Sequence, residues 1–177
     1  MKKETCCFTG HRDIPAQEKA AVISRLRKQI LDLLEKGYNT FLVGGARGFD
    51  MLAAEVLLKL REKEGKNLRL FSVLPFPEWR EYWPDESFRR EERILKASDS
   101  VSFSAEKMNR RAYLDRDRKM VDESSLCIAW CTRRSGGTAY TIHYALKNGI
   151  RVINLADLGY QETDGGGWEE GLSPHYQ

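Results

Sequence analysis

The chain has 177 residues, 41% hydrophobic and 31% charged, which supplies the core of one domain and a soluble exterior and excludes a disordered or fibrous protein. Its 29 Lys and Arg against 26 Asp and Glu leave +3, spread along the chain and too small to argue for nucleic acid by itself. There is no run of 18 apolar residues, and the start MKKETCCFTG lacks the apolar stretch of a secretory signal, so a soluble cytoplasmic protein with no membrane association is expected.

Residues 5–8 form a short β-prone run, followed by Thr9, Gly10, His11 and Arg12 and then a helical pattern over 17–36. Ile23, Leu26, Ile30, Leu33 and Leu34 recur there at the spacing of one buried face, and Gly37 closes the helix. Residues 40–43 predict a second strand ending in Gly44, Gly45, Ala46, Arg47 and Gly48, and the helix after it is apolar on nearly every side over 51–60. A third strand over 68–74 is closed by Pro75 and Pro77. The aromatic stretch 78–84 is expected to cover an edge or a cleft. A charged helix over 86–96, an apolar alternation at Val101 and Phe103, and a helix over 111–122 come next. Residues 126–131 form the most apolar strand, 133–138 a glycine-containing loop before a helix to Lys147, and 151–155 a last strand.

Alternating strands and helices imply right-handed crossovers and a parallel sheet covered on both faces. The expected fold is a Rossmann-like α/β domain over residues 1–156, a three-layer α/β/α sandwich with a mostly parallel sheet. Residues 157–177, with three consecutive glycines and no periodicity, read as a loose tail.

Cys127 and Cys131 lie at opposite ends of an apparent strand, roughly 13 Å apart at about 3.3 Å per residue, so neither a disulfide nor a shared metal joins them. Cys6 and Cys7 should point to opposite faces of another strand. Buried thiols acting as small hydrophobes are the expected reading. The three histidines are far apart, and neither a metal nor a bound cofactor is expected.

Three strand-to-helix loops stand out: Thr9-Gly10-His11-Arg12, Gly44-Gly45-Ala46-Arg47-Gly48 and Ser135-Gly136-Gly137-Thr138. All three leave the same edge of a parallel sheet. Glycines let the backbone approach a ligand, and the unpaired N–H groups at a helix start favour an anion such as phosphate. Arg12 and Arg47 can add bidentate contacts, while Ser135 and Thr138 can donate hydroxyls or cap the helix. One glycine pair is ordinarily a tight turn; three such loops on one edge point to a phosphate or nucleotide site. Asp50 reads either as helix-start pairing or as a ribose contact, and Glu55, inside an apolar helix, must face a cleft or an arginine. No Gly-x-x-x-x-Gly-Lys-Ser/Thr occurs and the first turn lacks Gly-x-Gly-x-x-Gly, which disfavours a P-loop NTPase and a hydride-transfer enzyme.

Phe8 to Arg12, Gly44 to Glu55 and Ser135 to Ile142, taken in that order, resemble the YpsA-like family of the SLOG superfamily over about residues 4–156. The segment Arg116-Asp117-Arg118-Lys119-Met120-Val121-Asp122 is similar to a family segment that carries asparagine where Asp117 stands here. The resemblance implies a Rossmann-like domain that binds nucleotides or nucleotide-derived signals, with homodimerisation as a further expectation. LOG relatives, which cleave N-glycosidic bonds of nucleoside monophosphates, carry a glutamate three residues after the motif threonine. Thr141 occupies that position here, so binding without turnover is expected unless Asp50 or Glu55 substitutes. DprA relatives imply single-stranded DNA as another partner. Arg89, Arg90, Arg93, Arg110, Arg111, Arg116 and Arg118 could supply the surface, but their acidic neighbours favour a solvated helix face instead.

Overall fold

The computed structural model describes residues 2–156; the tail expected over 157–177 lies outside them. After a short 3₁₀ turn the chain runs β1 (Thr5–Gly10), α1 (Lys19–Glu35), β2 (Thr40–Val43), α2 (Phe49–Glu64), β3 (Arg69–Leu74), α3 (Asp85–Ala97), β4 (Ser100–Phe103), α4 (Ala112–Asp122), β5 (Leu126–Trp130), α5 (Gly137–Lys147) and β6 (Arg151–Asn154). The six strands form one sheet in the order β4-β3-β2-β1-β5-β6, and every pairing is parallel.

Alternation along each strand builds the layers. Cys6 and Phe8, Phe41 and Val43, and Leu126, Ile128 and Trp130 face one side, where Val22, Leu26 and Ile30 of α1, Leu57 and Leu60 of α2 and Ile94 of α3 cover them. Cys7, Leu42, Cys127 and Ala129 face the other, under Met120 and Val121 of α4 and Ala139, Ile142 and Ala145 of α5. Side chains that pack on both faces explain why the strands read as continuous apolar runs. Each fully buried aromatic or leucine in these layers contributes about 1.5–3 kcal/mol. All four cysteines are buried, and Cys6 and Cys7 point to opposite faces as expected.

Strand β1 runs two residues past its predicted end, because Thr9 and Gly10 pair with Ala129 and Trp130 of β5. The first loop therefore begins at His11, and α1 starts only at Lys19. Outward winding from β1 through β2, β3 and β4, then a return to β5 on the other side of β1, reverses the crossover direction between β1 and β5. In open parallel sheets a ligand crevice lies at such a switch point, beyond the carboxyl ends of the strands.

Candidate functional site

A hollow of about 390 Å³ opens at this place, within the size range of small-ligand sites. Thr9, Gly10, His11 and Arg12 line it from β1 and its loop, Asp50 from α2, and Ser135, Gly136, Gly137 and Thr138 from the start of α5. Nine of the expected binding residues thus meet there. Gly44, Gly45, Arg47, Gly48 and Glu55 do not line it; the second glycine loop supplies only Ala46 and Asp50.

The glycines of that loop serve the protein's own packing. Gly44 donates its N–H to Asp50 Oδ2 (3.1 Å) and accepts from Arg116 Nη1 through its carbonyl. The Gly45 carbonyl accepts from Trp79 Nε1 (2.8 Å), so the aromatic stretch covers this loop. Gly48 has φ +78°, and a Cβ there would fall 2.4 Å from the Arg12 carbonyl oxygen and 2.5 Å from that of His11. The start of α2 is pressed against the β1 loop, and Phe49 donates its N–H to the His11 carbonyl (3.1 Å). Glu55 accepts from Arg90 Nε (2.7 Å), so of the two expectations for it, a cleft or an arginine, the arginine is the one found.

Asp50 is 4% exposed. Its Oδ2 accepts from the backbone of Gly44 and Ala46, so it braces its own loop instead of capping α2, whose cap is Gly48. Burial raises its carboxyl to about 6, opposed by the Arg116 guanidinium and assisted by the charge of Asp117. Asp117, also buried, accepts from Arg116 Nε (2.6 Å) and from Thr141 Oγ1 (3.2 Å); burial raises its pKa against the pull of Arg116. Arg116, expected among solvated arginines, is instead a buried bridge between α4 and the second loop.

Tyr113, Arg116 and Asp117 form a wall of the hollow that reading the loops alone missed. Their three- and four-residue spacing on α4 was the available signal. The guanidinium carbons of Arg12 and Arg116 lie 6.0 and 5.8 Å from the Tyr113 ring centroid. Asp13 and Arg133, a surface pair at 2.7 Å, complete the rim. His11 is buried against Trp130, and its Nε2 accepts the Thr132 N–H (2.9 Å). That bond needs a neutral ring with its proton on Nδ1, and burial, aided by Arg133, lowers the histidine pKa accordingly. At α5 the cap is Gly136, and neither Ser135 nor Thr138 makes a side-chain cap bond.

Behind the glycine loop, Glu91 of α3 is 1% exposed, and its Oε1, close to Gly45, has no hydrogen-bond partner among the described residues. Burial, with repulsion from Asp50, raises its carboxyl from 4.5 to about 7. The folded chain holds this proton more tightly than the unfolded one, so the stability it confers is fully present below pH about 4.5 and lost as pH rises through about 7. Glu91→Gln should match the parent near pH 4.5 and exceed it at pH 8 by on the order of 3 kcal/mol. Equal urea midpoints for parent and variant at pH 8 would refute this.

Among the described residues there is no group of three His, Cys, Asp or Glu able to hold a metal, and no helix long and apolar enough to cross a membrane. The model of the YspA SLOG family matches residues 6–152. The chain belongs to this family. The UPF0398 protein BH1768 of Halalkalibacterium halodurans is 28% identical to it over 162 residues, covering 84% of this chain and 80% of that protein. Among solved structures, DNA processing protein A (DprA) from Streptococcus pneumoniae superposes with a TM-score of 0.62 at 19% identity, over 85% of this YspA SLOG chain and 50% of the DprA chain. The chain thus spans half the length of that protein. DprA from Helicobacter pylori, described for its single-stranded DNA binding mode, gives 0.60 at 21% identity over 84% and 63%. At these identities the likeness is one of fold.

Proposed function

We propose that this YspA SLOG protein is a cytoplasmic sensor that binds a nucleotide or nucleotide-derived small molecule in the hollow between β1 and β5. One observation carries the reading: the β1 loop, Asp50 and the glycine start of α5 line a single concavity at the switch point of the sheet. A phosphate would sit on the Gly136, Gly137 and Thr138 amides, where the α5 dipole adds favourable potential, within reach of Arg12. Tyr113 offers a ring for stacking and Thr9 a hydroxyl. Gly137→Asp should place a carboxylate where the phosphate belongs, weakening nucleotide binding at least a hundredfold while the thermal midpoint stays within a few degrees of the parent. Undiminished binding by this variant in equilibrium dialysis would remove the phosphate from α5.

A second reading, N-glycosidic hydrolysis, draws on one contact. Thr141 stands where LOG relatives place their glutamate, and its hydroxyl lies 3.2 Å from Asp117, so α4 brings a carboxylate close to the place where α5 lacks one. Release of a free base from nucleoside monophosphates, seen by chromatography, would favour this reading over binding without turnover. Single-stranded DNA is supported less: Arg116 is buried, Arg90 is paired with Glu55, and Arg118 donates to Tyr140 Oη, which leaves fewer of the arginines for a strand.

A further inference from the structure

Beside the first hollow lies another, of about 430 Å³, and Arg12 and Asp13 line both. Lys19, Arg47 and Arg90 bring three more cations to its wall. The charges are poorly compensated. Asp13, the lining carboxylate, is engaged by Arg133, and Glu55 neutralises Arg90. Arg12, Lys19 and Arg47 have no ion pair or hydrogen bond of their side chains among the described residues. Like charges gathered in one concavity repel, and an anion relieves that repulsion. Arg47 is half-buried, with its guanidinium 5.6 Å from the Trp83 ring centroid, so an aromatic face holds it in place without using its hydrogen-bond donors. Met51 and Leu52 give this wall an apolar backing, which strengthens a charge contact made against it.

We infer that the nucleotide carries at least two linked phosphate groups, one in the first hollow and the next beyond Arg12 among Lys19 and Arg47. This rests on the first hollow being a nucleotide site. A single phosphate engages one side of Arg12; a diphosphate or longer chain engages both.

Isothermal titration of the full chain with the 5′-monophosphates and 5′-diphosphates of the four common ribonucleosides tests this. The expected result is at least tenfold tighter binding of a diphosphate than of its monophosphate, with the difference shrinking as salt rises. Lys19→Glu, at a residue that lines the second hollow alone, should abolish the gain and leave the monophosphate unchanged, and Arg47→Ala should weaken the diphosphate about tenfold. Equal affinities of mono- and diphosphate, or a gain that survives both variants, overturns the inference and leaves the nucleotide site standing. Absence of binding by every nucleotide overturns both. Tighter binding of a thymidine decamer than of any nucleotide, lost in Arg47→Ala, reassigns these cations to a nucleic acid strand and overturns the inference as well.

Discussion

Gly48→Ala should destabilise the domain by at least about 3 kcal/mol, well beyond the usual effect of a point substitution. Two costs combine. The backbone there has φ +78° and ψ −121°, outside the left-handed helical region, which for an L side chain costs about 1–3 kcal/mol. The added Cβ would then stand 2.4 and 2.5 Å from two backbone carbonyl oxygens, which cannot rotate away as a flexible side chain could. Relief requires α2 to back off from the β1 loop, breaking the bond from the Phe49 N–H to the His11 carbonyl and opening the packing of Phe49 on Gly10. Gly149→Ala is the comparison that keeps a positive φ, +74°, without the close approach, since the new Cβ meets nothing within 4 Å. Denaturant midpoints should separate the two variants widely. If they shift alike, close approach is not what Gly48 provides.

Arg116→Ala is expected to cost about 3–5 kcal/mol, the range for removing one partner of a buried ion pair. The substitution leaves Asp117 without its 2.6 Å partner, Asp50 without its nearby cation and the Gly44 carbonyl without its donor. The effect should depend on pH. Arg116 opposes the upward shift of both carboxyls, so without it they hold their protons to higher pH. Their raised folded-state pKa favours the fold at low pH and penalises it as pH rises through the folded value, and the variant should therefore lose more stability at pH 8 than at pH 5. Nucleotide binding should fail with it, because Arg116 and Asp117 form a wall of the hollow. A loss under 1 kcal/mol, or one identical at the two pH values, would contradict the buried-bridge account.

The order of elements was legible because strand and helix periods alternate cleanly, and the shared edge of the three loops follows from a parallel sheet alone. What the glycines do was not. A glycine that admits a ligand and one that admits a neighbouring backbone look the same in sequence; Gly48 turned out to face His11 and Arg12, and Gly45 to lie under Trp79. Arg47 read as a candidate anion contact beside Asp50; that the two line different hollows was not legible, since it depends on how α2 turns away from its loop. The partner of Glu55 lies 35 residues downstream, beyond any local pattern. Arg116 sits in a strongly charged helix and read as solvated, and nothing in the charged helix α3 singled out Glu91; the docking of α3 against α2 and of α4 on the sheet buries them.

The imidazole of His11 spans from the end of one strand to the turn after its neighbour. Two banks of the cleft are thereby clasped together, so a ligand bound there as proposed would meet a mould already set and spend little of its affinity on ordering loose chain. Discrimination among such ligands would then fall to the shape and charge of that mould.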